Sequence, residues 1–235
     1  MKKYCEKGSK RMLQLLLTNT IDTLKTELKE SKLVCLSPEG DNFKEHQLNN
    51  KKVMKILGLD DGFWKGFWPT RQPQWDGILI NDDKEKFDTV YLIEAKSHIH
   101  EFVSRRKLKD NASKQQTTNN ELIENALKSV SGKLGIQCFD EQQWMFSYYQ
   151  VANRLAFHQK LKEGLEGKEV KLIFLNFLND PTWKNENKSV NDKQIWDDKY
   201  EKIFKKMGLN RDVLERQQGV IIINNIDASG FTSKN

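Results

Sequence analysis

Pro73-Gln74-Trp75-Asp76-Gly77-Ile78-Leu79-Ile80, followed by Val90-Tyr91-Leu92-Ile93-Glu94-Ala95-Lys96, decides how this chain is read. Both runs have strand length and strand composition, and the polar stretch from Asn81 to Asp88 between them reads as a hairpin turn. Side chains alternate across a strand, so Glu94 and Lys96 project from the same side. If the two strands pair, Asp76 at the start of the first joins them. Glu94 and Lys96 also interrupt a buried-type run, Val90–Ile93, where a strand built only for stability would stay apolar. A charge there needs a partner, a metal or water. The bland alternative is an exposed strand end solvated by a Glu/Lys pair.

Outward from that hairpin, helical spacing of Leu13, Leu16, Leu17, Thr20, Ile21, Leu24 and Leu28 predicts one amphipathic helix over about Ser9–Glu30. A short strand is expected at Leu33–Leu36 and a second helix from Phe43 to Leu57, ended by Gly58. The aromatic, glycine-punctuated segment Gly62–Pro69 reads as an irregular connection that packs its rings onto the core, in preference to a base-stacking platform. Beyond the hairpin, helices are expected over Glu121–Lys133, Glu141–Glu163 and Asp192–Met207. Buried strands are expected at Lys171–Leu178 and Gly219–Ile223. This order predicts an α/β fold, a mixed central β-sheet flanked by helices, as a single domain over 1–235. Residues 1–60 form a mainly helical N-terminal extension, and 227–235 a frayed polar tail.

Composition narrows the classes. The chain has 235 residues, 37% of them hydrophobic, enough for one core. No apolar run approaches the roughly 20 residues that span a bilayer, and Met1-Lys2-Lys3 is not followed by a signal-peptide core, so a cytoplasmic protein without membrane contact is expected. Cys5, Cys35 and Cys138 are too scattered for a zinc site or a disulfide framework and read as buried or inert thiols. A net charge of +6 fits a polyanionic partner without demanding one. Five bases between Arg105 and Lys114, among them Arg105, Arg106 and Lys107, face a single acid there, Asp110, and are candidates for phosphate contact.

Two carboxylates and a backbone carbonyl suit a hard divalent cation, and Asp76, Glu94 and the carbonyl of Ala95 are the natural set for Mg²⁺ or Mn²⁺. Such an ion polarises a phosphate and helps form hydroxide from bound water. Lys96 would orient that nucleophile or stabilise charge on the phosphorus. His98 and His100 share the Lys96 face if the strand continues, which allows a His-based metal site, though without a third ligand.

The run Trp75-Asp76-Gly77, an apolar strand, then Leu92-Ile93-Glu94-Ala95-Lys96 resembles the PD-(D/E)XK nuclease superfamily, the restriction-endonuclease-like fold. Phe67–Glu101, with Tyr149–Ala156 on a later helix, is similar to small members of that group. The resemblance covers about a fifth of the chain strongly. It departs from the motif in placing Trp75 before the acid, with Pro73 further back. It implies a restriction-endonuclease-like core and Mg²⁺-dependent cleavage of nucleic acid, DNA foremost, with Asp76 and Glu94 as the acids and Lys96 as the motif lysine. It also implies an acid from an early element, for which Glu45 is the candidate, and a polar residue from the helix after the lysine strand. Gln150 and Arg154, four apart on one helix face, are the candidates there, Gln150 at the chemistry and Arg154 at the nucleic acid. A non-catalytic nucleic-acid-binding or protein-interaction module on the same scaffold is the alternative, and a hydrolase of small phosphate esters a third. The absence of a recognisable DNA-reading module leaves room for a protein partner that supplies targeting, and for a homodimer.

Overall fold

The computed structural model describes residues 2–102, 113–186 and 188–231. Helices α1 (Gly8–Asn19) and α2 (Ile21–Leu28) precede β1 (Leu33–Ser37) and α3 (Lys51–Leu57). The hairpin follows as β2 (Gly77–Asn81) and β3 (Thr89–Lys96), then α4 (Lys114–Lys133), α5 (Tyr149–Gly164) and β4 (Glu169–Leu178). Helices α6 (Lys193–Met207) and α7 (Arg211–Gln217) lead into β5 (Val220–Asp227). The strands lie in sequence order in one sheet. β1, β2 and β3 are joined antiparallel, and β3, β4 and β5 parallel. The fold is therefore α/β with a mixed five-stranded sheet between helices. Among the described residues no helix is long and apolar enough to cross a membrane.

Alternation along the central strands sorts the core into two layers. Leu79, Tyr91, Ile93, Ile173 and Leu175 face α1 and α2. Ile78, Ile80, Val90, Leu92, Leu172 and Phe174 face the larger layer, which includes the apolar sides of α4, α5 and α6. All eight residues of β3 are buried, as expected for the middle of a sheet covered on both faces. Glu94 and Lys96 share the parity of Val90 and Leu92, so they fall on the α5 side. This buries charge on the side of the larger core layer.

Several expected elements differ. The first helix is two, broken at Thr20, whose φ of -138° leaves the helical region. Thr20 is β-branched and follows Asn19, both weak helix formers, and its carbonyl accepts the Thr23 N–H as a new helix begins. The helix expected from Phe43 starts only at Lys51, capped by the Asn50 side chain on the Lys52 and Val53 N–H groups. Phe43 is at φ +49°, and the His46 carbonyl accepts the Trp75 N–H instead. The helix expected from Glu141 to Glu163 splits into a π-helical turn, Gln142–Ser147, and α5. Tyr148 between them sits at φ -124°, and Trp144 Nε1 donates to the Met207 carbonyl. Helix α7, capped by the Asn210 side chain on the Val213 N–H, is an element beyond those expected. The tail is not frayed at once, because Ala228 is fully buried and its N–H donates to the Leu178 carbonyl. The cysteines are free as expected, but Cys35 and Cys138 are exposed and Cys5 half-buried. The aromatic connection is as expected: Trp64 and Trp68 are buried and both pack on Phe157.

His158 on α5 is fully buried, and its Nε2 donates to the Val170 carbonyl at 2.9 Å while Nδ1 has no partner. Burial pushes its pKa down to about 4. The unfolded chain therefore binds more protons than the folded one between about pH 6.5 and 4, and stability falls as pH drops through that window. Wild type is expected to lose about 2–3 kcal/mol there beyond what His158→Gln loses, measured by urea denaturation at about pH 7 and about pH 4. Equal losses in the two proteins would remove this assignment.

Candidate functional site

β2 and β3 pair with Gly77 opposite Ile93, which brings Asp76 beside the end of β3. The Ala95 N–H donates to Asp76 Oδ2 at 2.8 Å, and this bond locks the first acid against the second strand. Gly77 is required by the close approach, since a Cβ there would lie 3.0 Å from Ile93 Cβ. Asp76, Glu94 and Lys96 thus converge at one end of the hairpin, as the alternation of the strands demands.

Glu94 is 2% exposed and fully engaged. Its Oε1 accepts from the Lys96 ammonium and from Gln150 Nε2, and its Oε2 accepts from Arg154 Nε. Arg154 sends a second N–H to the Gln74 carbonyl at 2.8 Å, and its guanidinium lies 4.4 Å over the Trp75 ring. Trp75, fully buried, is thus the platform that aims Arg154 at Glu94. Burial raises the Glu94 carboxyl, but Arg154 and Lys96 outweigh it and hold the group below the usual carboxylate range. Asp76 behaves oppositely. Burial first, then the neighbouring Glu94 charge, push its carboxyl up to about 7, against Lys96, Arg154 and the Ala95 N–H. Two close acids whose proton affinities are driven apart make a pair that holds one proton near neutrality and releases it to a cation.

The Lys96 ammonium also reaches the Ala95 carbonyl at 3.4 Å. It therefore touches two of the three groups expected to ligate a metal. The oxygen set suits a hard cation, provided Lys96 swings off Glu94 when the ion enters. Among the described residues no group of three or more His, Cys, Asp or Glu stands ready to hold a metal. Glu45 is accordingly not clustered with the acid pair; it forms an ion pair with Lys10 of α1 at 2.9 Å. Lys10 in turn lies within the field of Asp76. Nothing in the sequence signals that second ammonium near the site, because it arrives from the opposite layer.

Gln150 and Arg154 do face the site, on the shared helix side expected of them. Arg154, a candidate for nucleic-acid contact, is only 4% exposed, and its guanidinium is turned inward to Glu94 and Gln74. His98 lies 3.6 Å from Glu101 and packs edge-on against Trp183, with the His100 ring 5.9 Å away. Arg105, Arg106 and Lys107 lie outside the described residues. Comparison with family models, curated proteins and solved structures returns no match for this chain.

Proposed function

We propose that this chain is a metal-dependent phosphodiesterase acting on nucleic acid, DNA foremost, with Asp76, Glu94 and the Ala95 carbonyl holding Mg²⁺ or Mn²⁺. The observation that carries this reading is the paired carboxylates at the end of a hairpin, one held charged and one raised to about 7, with a lysine ammonium on Glu94 and the Ala95 carbonyl. The bound ion would supply Lewis-acid polarisation of the phosphate and a water of lowered pKa. The chain's own groups do the rest. Asp76 gives up its proton as the cation binds. Lys96, released from Glu94, has its ammonium free to orient the attacking water and to offset charge gathering on the phosphate oxygens. Arg154 and Gln150 keep Glu94 fixed, so the site does not reorganise when the lysine moves.

One observation favours a second reading, a non-catalytic nucleic-acid-binding or protein-interaction module: both Glu94 oxygens already have protein donors. The two readings separate on turnover. Wild type is expected to cleave at least one member of a panel of supercoiled, linear, single-stranded and branched DNA and RNA in Mg²⁺ or Mn²⁺. Chelation by EDTA should stop the reaction, and Lys96→Gln should slow it by about 10²-fold or more. Cleavage that survives both chelation and Lys96→Gln would remove the mechanism, and salt-sensitive binding without any turnover would select the second reading.

A further inference from the structure

Beside the acid pair lies a cavity of about 630 Å³, within the size range of small-molecule sites, between the aromatic connection and the first half of α4. Gln72 in its wall is four residues from Asp76, so the cavity begins no more than about 14 Å from the site along the chain. Trp68, also in the wall, stacks on Tyr149, the neighbour of Gln150 that holds Glu94. The cavity is thus tied to the acid pair through Gln72 along the chain and through the Trp68–Tyr149 ring contact, and no residue of the pair lines it.

Its chemistry is one-sided. Gln72 is 4% exposed and accepts the Asn49 N–H on Oε1, while among the described residues no protein acceptor meets its Nε2. That amide group has donors open to an acceptor placed in the cavity. Among the described residues Lys51 and Lys65, exposed in the lining, have no carboxylate partner, unlike Lys52, which pairs with Glu39. Among the described residues Asp61 is the one acid in the lining. The Trp64 and Trp68 indoles add an apolar floor, each 5% exposed. Unused donors, two free ammonium groups and an indole floor together match a flat, acceptor-rich, anionic ligand.

We infer that this cavity receives an unpaired nucleotide of the strand being cut, its base against the indoles and Gln72 and its phosphate toward Lys51 and Lys65. The assignment rests on the nuclease reading for the identity of the strand, and it makes the enzyme prefer single-stranded or frayed substrate. A base still paired in a duplex cannot enter.

The test uses the Asp76→Asn protein, so that nothing is cut, and fluorescence anisotropy with a mixed-sequence single strand, as DNA and as RNA, and a blunt DNA duplex. Asn119→Phe fills the cavity from α4, and Gln72→Met removes the donor. Each is expected to weaken single-strand binding about ten-fold while leaving duplex binding within about two-fold. The better-bound single strand then identifies the sugar. Equal loss on single strand and duplex, or no loss with either variant, overturns the inference. If wild type cuts nothing yet both variants still lose single-strand affinity, the cavity assignment stands and the nuclease reading falls.

Discussion

Glu94→Ala is expected to lower the unfolding free energy by about 3–5 kcal/mol, the largest single-residue effect in the site. The Lys96 and Arg154 side chains are each only 5% exposed, and both direct their charge at this carboxylate. Without it two cations remain in the core facing only the more distant Asp76 carboxyl, and Gln150 loses the Glu94 oxygen it donates to. Among the described residues Arg154 then retains the Gln74 carbonyl, the Asn153 side-chain oxygen and the Trp75 ring, all uncharged, which do not offset a full positive charge. Urea denaturation at neutral pH measures the loss. Glu94→Ala combined with Arg154→Met should cost clearly less than the sum of the two single changes, because the second removes part of what the first leaves stranded. A single-variant loss under about 1 kcal/mol would mean that water reaches these cations, and the buried network would then be no constraint on the fold. A consequence for mechanism follows. Lost cleavage in a Glu94 variant cannot distinguish a metal ligand from a collapsed core, so that distinction falls to Asp76.

Much of this arrangement was legible in local pattern. The alternation Val90–Leu92–Glu94–Lys96 put acid and lysine on one face, and the short polar turn made β2 and β3 neighbours, so the convergence of Asp76 with them needed no tertiary information. The apolar run in β4 likewise announced a central strand. What failed depended on contacts from far along the chain. Nothing near Tyr148 marks a helix break; it arises where Trp144 is drawn to the Met207 carbonyl, 63 residues away. Residues 43–50 carry helix-compatible spacing, yet the segment is drawn to the approach to β2, the His46 carbonyl accepting the Trp75 N–H and the Gln47 side chain donating to the Gln72 carbonyl. The Asn50 cap was a local signal for the true start and was available. Spacing puts Arg154 on the right helix face without fixing its environment: it shows that residues share a face, not whether that face meets solvent or a buried carboxylate. The restriction-endonuclease-like core stays a proposal, since the mixed sheet between helices is shared by many unrelated folds.

Asp76→Asn is expected to abolish turnover, by roughly 10³-fold or more, while leaving the protein as stable as wild type or more so. The sign follows from the raised carboxyl. Folding lifts it from the ordinary 3.8 to about 7, so the folded chain holds the proton more tightly than the unfolded one across that interval. Stability in metal-free solution therefore declines as pH rises through it, and the full deficit is present above about pH 7. Its upper bound is about 4 kcal/mol, reduced because Asp76 retains some solvent access. Asparagine cannot ionise, and its amide oxygen still accepts the Ala95 N–H, so the variant escapes the deficit and keeps the contact that docks the two strands. Thermal melts in EDTA at about pH 5 and about pH 8 should therefore show the wild-type and variant curves drawing apart toward the variant's advantage at the higher pH. Added Mg²⁺ should raise the wild-type midpoint in proportion to its binding and leave the variant's unmoved. A residue kept for stability would behave in the opposite way, with the asparagine protein melting lower at high pH and still turning over. That outcome would leave Asp76 as a strand clasp and take the cation, and with it the cleavage chemistry, out of the site.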